Sequence, residues 1–569
     1  MLLSTPEQIE NYTTSGLWGE DRLDLVFARH AEQRADDLAL IDDQSLHSVS
    51  GRRPQCLSFI RTWRRVVAVS EFLTGIGMKS DTVVAMLIPP SSDAAVLALV
   101  ASRMGIILAP IPLTSGEADL REKLEQVGAK AIVCCSHYED EPVAERVRNV
   151  AADMFSIRFV FCIGENAPEG LIDLGEILDQ EDNVDEESLF QHSRQIGANV
   201  VLAIHWSAAG SDVAQPIGRS HNQLLAIGRY VHEQTVLQAE NCLFVTHHMS
   251  GLVGFAVGLV GALDIGARIQ FHNFRTTHGF VEALAEFGGQ HVSLPGSLWQ
   301  GAHDLLPMNV REQLISVSLV WNRAHAEQSV YGENETAARL IDLTNFKDLV
   351  LFSQLRRHPS EVGSIPLGSI NSLIDPAKVW METFLFGMEE ARKAQPDAAI
   401  IGGELCVRGA MLPECAFPLA GAIEGKALRA TEDGFIHTEI GCHLVTEEHG
   451  EQRALFRPLG DLGDVLSFGG FAERGEDLDS LYRECIVVSD AAAFIVPSED
   501  EGPAHLMAAL VVDDKDIARE EFYAFLKNKR VSRMKWPRDI IFVEAIPRRT
   551  NGKVMRESLI EASQVADVA

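Results

Sequence analysis

Between Thr82 and Cys135 the chain alternates short apolar runs with helical stretches, and this alternation constrains the fold more than any other feature. VVAMLIPP reads as a strand stopped by two prolines, AAVLALVASRMG as an Ala/Leu helix ended at Gly105, and IILAPIPL as a second strand. LREKLEQVG is then a charged helix and AKAIVCC a third strand. Buried strands joined through helices by short connections predict parallel pairing with right-handed crossovers, an α/β fold class. Upstream, Leu23 to Glu32 spaces its apolar residues as a helix does. Asp173 to Asn199 is acidic and polar and reads as an exposed connection. NVVLAIHW then opens a second α/β block reaching about Thr344, with the strands LFVTHH and ARIQFHN and the helix GFVEALAEF. From Glu361 to about Pro418, Gly, Pro and β-branched residues mix, the pattern of a β-rich subdomain. The last hundred or so residues read as a separate small α+β unit.

Composition sets the class of partner. A chain of 569 residues, 46% hydrophobic, can bury large cores and predicts at least two domains. Its 81 acidic against 49 basic residues leave a formal charge of −32, which repels nucleic acid and anionic lipid and favours small-molecule or protein partners. Nine scattered cysteines without CxxC spacing fit buried reduced thiols, and with them a cytoplasmic setting. MLLSTPEQIENY lacks the basic start and apolar stretch of a secretory signal. The longest apolar run, Gly251 to Leu263, is cut by Asp264 short of the roughly 20 residues of a membrane span. Charge is uneven, for Lys527 to Arg556 holds ten Lys/Arg and two acids, which reads as a solvated face or as a lid turned toward phosphate or an acidic partner.

The most specific stretch is IPRRTNGKVMRESL. Pro547 ends a strand, Asn551-Gly552 signals a turn, and Lys553 stands at its tip with Arg556 and Leu559 on the following helical turn. A lysine on such a tip can set a point charge against a phosphate or a developing carboxyl charge. The segment resembles the C-terminal lysine motif of the adenylate-forming superfamily, which contains acyl- and aryl-CoA synthetases, peptide-synthetase adenylation domains and luciferases. Pro547, Gly552, Lys553, Arg556 and Leu559 match that motif. The likeness extends through LDLVFARHAEQRADDLALID, VVAMLIPPSSDAAVLALVASRMGIILAPIPL, FVTHHMSGLVGFAVGLVGALDIGARI and GGELCVRGAML.

The resemblance implies a large N-terminal core over residues 1–460, made of two parallel-sheet α/β blocks and a β-rich subdomain. A small mobile lid over residues 461–569 would turn about a hinge at Asp464. It also implies ATP and magnesium, a small carboxylic acid, and a thiol from coenzyme A or from the phosphopantetheine of an acyl carrier protein. Lys553 would be the catalytic residue, and His248 with Gly254 would border the acyl pocket, where Gly251, Ala256 and Gly258 suggest room. Trp299, His205 and Trp206 read as core. The phosphate loop would be SAAGSDVAQPIGRSH, with Ser207, Gly210, Ser211, Pro216 and Gly218 retained.

Several positions depart from the family. Ile217 replaces the loop lysine and Asp212 adds an anion, whose repulsion of a phosphate about 4 Å away costs about 4 kcal/mol at an effective dielectric of 20. Arg219 is the nearest cation to compensate. The family's Thr-Gly-Asp, whose aspartate holds the ribose, becomes Thr438-Glu439-Ile440, leaving Glu439 as the acceptor, and the Gly-Arg pair at the domain junction becomes Gly460-Asp461. For the magnesium glutamate, letters favour Glu335 in Tyr331-Gly332-Glu333-Asn334-Glu335, whereas spacing favours LFSQLRR, which puts Arg356 in the acid's place. Two functions are therefore carried forward: an AMP-forming carboxylic acid:thiol ligase with a weakened ATP site, and an adenylation-deficient relative serving as an acyl-binding or protein-interaction module.

Overall fold

The computed structural model describes the chain apart from residues 181–183, 185–188, 192–195, 208–213, 323–336, 357–364, 388–401, 423, 446–454, 462–464, 469–470, 497–504, 549–553 and 567–569. It forms two compact units, one of Met1–Leu113 with Leu120–Gly460 and a smaller one of Asp461–Ala569 with Thr114–Asp119.

In the large unit the first three expected strands pair in parallel, with Val83 opposite Ile107 and Val84 opposite Ala131. The intervening helix Ser92–Met104 starts where the Ser91 hydroxyl accepts the Ala94 N–H and stops at left-handed Gly105, φ 68°. These strands are the middle of a seven-stranded sheet. Its order is Ile172–Asp173, Phe159–Ile163, Ala131–Cys135, Val83–Leu87, Ile107–Pro110, Val201–Ser207, Gln215–Ser220. NVVLAIHW therefore does not open the second block. Its strand joins the edge of the first sheet through Leu108 and Ala203, then turns back antiparallel. Periodicity identifies a strand, but its partner is a matter of tertiary pairing.

The second sheet has eight strands, ordered Val350–Leu355, Arg339–Phe346, Ser316–Trp321, His291–Pro295, Cys242–Val245, Arg268–Phe271, Leu38–Ile41, Cys56–Ser58. It draws its last two strands from the opening of the chain. The acidic connection is also less exposed than its composition predicts. Leu174, Leu178 and Leu189 are buried, and the Trp63 indole donates to the Leu189 carbonyl at 2.9 Å. A third, six-stranded sheet includes Val379–Phe386, Gly402–Gly409 and Ile436–Val445, the expected β-rich subdomain.

The small unit is α+β. Val488–Val496 and Asp539–Phe542 flank His505–Val512, the first antiparallel and the second parallel to it. Leu478, Tyr482, Phe522 and Leu526 of two helices cover one face, and Leu559 of the last helix packs with Phe494 and Ile546 on the other. Four cations of the basic run pair with acids of their own unit, Lys529 with Glu484, Lys535 with Glu473, Arg548 with Asp490 and Arg556 with Asp479. All nine cysteines are free thiols, seven of them buried. Among the described residues, no helix is long and apolar enough to cross a membrane.

The small residues after His248 serve close packing rather than room. A Cβ on Gly258 would lie 2.8 Å from Val245, and one on Gly228 of the helix His221–Thr235 would lie 2.5 Å from the Gly261 Cα. The Gly-rich segment Val253–Gly261 is a wide π-helix whose backbone presses on that neighbour. Gly228→Ala should cost about 1–3 kcal/mol through overpacking, although alanine favours an isolated helix by roughly 1 kcal/mol. Urea unfolding of the variant tests this, and a gain in stability would show that the helices can part.

Candidate active site

In each parallel block the chain reverses its direction of travel at one strand. From Val83–Leu87 it proceeds to Ile107–Pro110 on one side, then crosses to Ala131–Cys135 on the other. From Cys242–Val245 it proceeds to Arg268–Phe271, then crosses to His291–Pro295. Open α/β sheets bind ligands outside the carboxyl ends of strands at such reversals. A cleft lies there, lined by Met86 and Ile88, by Pro110, Ile111 and Leu113, and by His248, Met249 and Ser250. One reversing strand of each sheet supplies its wall.

His248 meets Tyr138 edge to face at 5.8 Å, with the hydroxyl 3.4 Å from Nε2. Burial holds the imidazole down to about 4, so it is neutral at pH 7 and offers a polar atom without a charge. A Cβ on Gly254 would lie 2.1 Å from the His248 carbonyl oxygen. Only glycine lets the helix start this close, and this contact sets the position of the histidine.

A hairpin turn that the sequence reading passed over links three of the motif segments. Lys347 and Asp348 are both left-handed, φ 54° and 55°, between the strands Arg339–Phe346 and Val350–Leu355. The Asp348 carboxylate accepts the Leu252 N–H at 2.8 Å and the Asn345 side-chain amide at 3.0 Å, which ties the turn to the Gly-rich helix. Burial pushes that carboxyl up from its ordinary value. Arg219, on the strand after the phosphate loop, donates to the Asp348 and Leu349 carbonyls at 2.7 and 2.9 Å. Lys347 Nζ donates to Glu439 at 3.2 Å.

The expected site residues fall as follows. Ser207 is buried at the end of its strand, while Gly210, Ser211 and Asp212 lie outside the described residues. The Pro216 carbonyl accepts the Phe417 N–H at 2.6 Å, and a Cβ on Gly218 would lie 2.9 Å from the Phe417 ring. Thr438 donates to the Leu405 carbonyl at 2.8 Å, Glu439 is left-handed at φ 60°, and Ile440 is fully buried. Arg219 is fully buried against the turn, so it does not compensate the loop. Arg356 is likewise a buried residue, its Nε 2.9 Å from an Asp342 oxygen, and the Trp321 indole donates to the same carboxylate at 2.7 Å. Trp299 is packed in the core with Phe280 and Leu294, and His205 is fully buried, whereas half-buried Trp206 donates to Gln126 at 2.9 Å. Glu335, Asp464 and Lys553 lie outside the described residues.

The AMP-binding enzyme model matches residues 27–321, more than half of the chain. The chain belongs to the AMP-binding enzyme family. It is similar to medium-chain fatty-acid–CoA ligase of Escherichia coli (strain K12), 19% identical over 557 residues covering 96% of this chain and 91% of the relative. It is also similar to 4-coumarate–CoA ligase 3 of Arabidopsis thaliana, 22% identical over 520 residues covering 86% and 84%. In fold it is similar to Mycobacterium smegmatis MbtA in its apo structure, with a TM-score of 0.64, 18% identity and 98% of each chain covered. The likeness to the adenylate-forming superfamily thus holds for family and fold.

AMP-binding CoA ligases generally use ATP, magnesium and coenzyme A. At the ribose position the fit is poor, because Ile440 faces the core and the Glu439 carboxylate is engaged by Lys347. For the metal, no group of three His, Cys, Asp or Glu is gathered among the described residues. Asp348 is the acid that the turn brings to the centre. Its sequence signal was the polar Asn-Phe-Lys-Asp stretch between two apolar runs, a hairpin pattern.

Buried neutral imidazoles give the site a pH signature. Burial lowers His205 and His247 to about 3, and His221, His232, His248 and His291 to about 4. The unfolded chain takes up these protons near pH 6.5 while the folded chain does not. Stability should therefore fall as the pH drops from 6.5 toward 4, each imidazole contributing up to about 1.4 kcal/mol per pH unit. Urea midpoints at pH 7.5 and 5.5 check this, and an unchanged midpoint would contradict the assigned burial.

Proposed function

We propose that the chain is an ATP-dependent carboxylic acid:thiol ligase with a weakened hold on the nucleotide. The supporting observation is how the motif residues that flank Lys553 in the sequence are held. Arg548 and Val554 form an antiparallel bridge, and the Met555 N–H donates to the Pro547 carbonyl at 2.8 Å. Arg556 grips Asp479 through two bonds of 3.0 and 2.9 Å, and Asp479 also accepts the Ala493 N–H at 2.7 Å. With Leu559 buried, Pro547, Arg556 and Leu559 of the motif are held in place on either side of Lys553 in the sequence.

In this reading a small carboxylic acid enters the cleft beside neutral His248. Its carboxylate oxygen attacks the α-phosphorus of ATP, pyrophosphate leaves, and the Lys553 ammonium offsets the charge that develops between carboxylate and phosphate. A thiol of coenzyme A or of carrier-protein phosphopantetheine then attacks the acyl carbon, loses its proton and expels AMP. The relatives named for 4-coumarate and for medium-chain fatty acids support an acid with an apolar body. Magnesium carries no step here.

A second reading, an adenylation-deficient acyl-binding or protein-interaction module, is favoured by buried Ile440 and by Ile217 in the loop lysine's place. ATP–pyrophosphate exchange with aryl, alicyclic and fatty acids separates the two. The ligase reading expects exchange with at least one acid, and a loss of about 100-fold or more in Lys553→Ala. Absence of exchange with every acid, alongside calorimetric binding of an acid without ATP, would favour the module.

A further inference from the structure

We propose that Lys347 is the cation that receives the phosphate charge of the nucleotide, and that Glu439 is an internal counter-ion the nucleotide must displace. The inference rests on the chain binding a nucleotide at the family's site, as the ligase reading holds.

Ile217 leaves the segment after the expected phosphate loop without its lysine, and Arg219 is fully buried with one nitrogen donating to two backbone carbonyls. Lys347 stands on the turn to which Arg219 is bonded, and its ammonium lies 3.2 Å from the carboxylate of Glu439, inside the Thr438–Ile440 segment. Its side chain is only 4% exposed, whereas that of Glu439 is 26% exposed. A lysine this buried requires a counter-ion, and a carboxylate reachable from solvent is one that an incoming anion can replace. The ammonium sits at the end of a flexible four-carbon stem, so it can change partners without the backbone moving.

Backbone strain supports the assignment independently. Lys347, Asp348 and Glu439 are three of the non-glycine residues with positive φ, and they occupy both ends of this ion pair. Left-handed backbone is unfavourable for a side-chain-bearing residue and gathers at functional sites. The remaining charges favour exchange. The Glu404 carboxylate accepts the Glu439 N–H at 3.1 Å and lies 2.9 Å from His437 Nδ1, with Arg429 at 3.9 Å, so the Glu439 backbone stays anchored when its side chain lets go. Buried Asp348 is held by Leu252 and Asn345 and does not compete for the ammonium.

Calorimetry on the full chain with MgATP, and with adenosine as the probe lacking phosphate, tests the pair. Lys347→Met, which keeps the apolar stem, should weaken MgATP about tenfold and leave adenosine unchanged. Glu439→Gln should tighten MgATP about tenfold, because the ammonium no longer has to leave a carboxylate. If Glu439→Gln weakens both ligands, Glu439 is a ribose anchor and the proposal is overturned. Wild-type affinity in Lys347→Met, or absence of MgATP binding in both the wild type and Glu439→Gln, overturns it as well. Binding by Glu439→Gln alone supports it. Pyrophosphate exchange in the wild type reports on the ligase reading separately, so the two can fail independently. Should Lys347→Met fold poorly, Glu439→Gln carries the test alone.

Discussion

One buried carboxylate, that of Asp348, holds the large unit's candidate site together. It pins the turn Asn345–Leu349 to the start of the Gly-rich helix, while the adjacent carbonyls hold the Arg219 guanidinium. Three segments far apart in the chain thereby converge on five residues. The helix anchored in this way is the one whose Gly254 abuts the His248 carbonyl, so the turn also determines where the cleft's histidine stands. A carboxylate taken out of water needs hydrogen-bond donors, and here a backbone N–H and a side-chain amide supply them without adding another charge.

The cleft and the turn divide the chemistry of the site between them. The cleft is lined by side chains that include Met86, Ile88 and Leu113 and carries an imidazole that burial keeps neutral. Cations lie beyond it and are bonded internally, Arg219 to carbonyls and Lys347 to Glu439. Family membership and the motif departures are compatible on this view. The family's fold is retained, while Arg219 and Lys347 are engaged by groups of the chain itself.

Much of the fold was legible in the sequence. The alternation from Thr82 to Cys135 gave the parallel strands, Gly105 the helix stop, and the last hundred residues the α+β unit, because each depends on local periodicity and capping. Which sheet a strand joins was not legible. NVVLAIHW carries the same pattern whichever edge it extends, and Leu38–Ile41 and Cys56–Ser58 belong to a sheet whose remaining strands lie far along the chain, from Cys242 onward. The candidate site divided in the same way. His248 and Lys553 stood out through motifs, whereas Lys347 and Asp348 did not, since what marks them is what the turn touches. Arg356, which spacing puts in an acid's place, is engaged in a buried pair with Asp342 that the sequence did not reveal.

Local chemistry in the sequence was enough to establish the family, the α/β class and the residue types available at each motif, because helix and strand periods, turn residues and short motifs are written in neighbouring positions. Tertiary structure alone decided which of those residues are already engaged. A guanidinium, an ammonium or a hydroxyl has the same potential wherever it stands in a chain. Whether it can serve a ligand depends on the nearest buried acceptor, and for Arg219, Thr438 and Lys347 that acceptor comes from a distant segment.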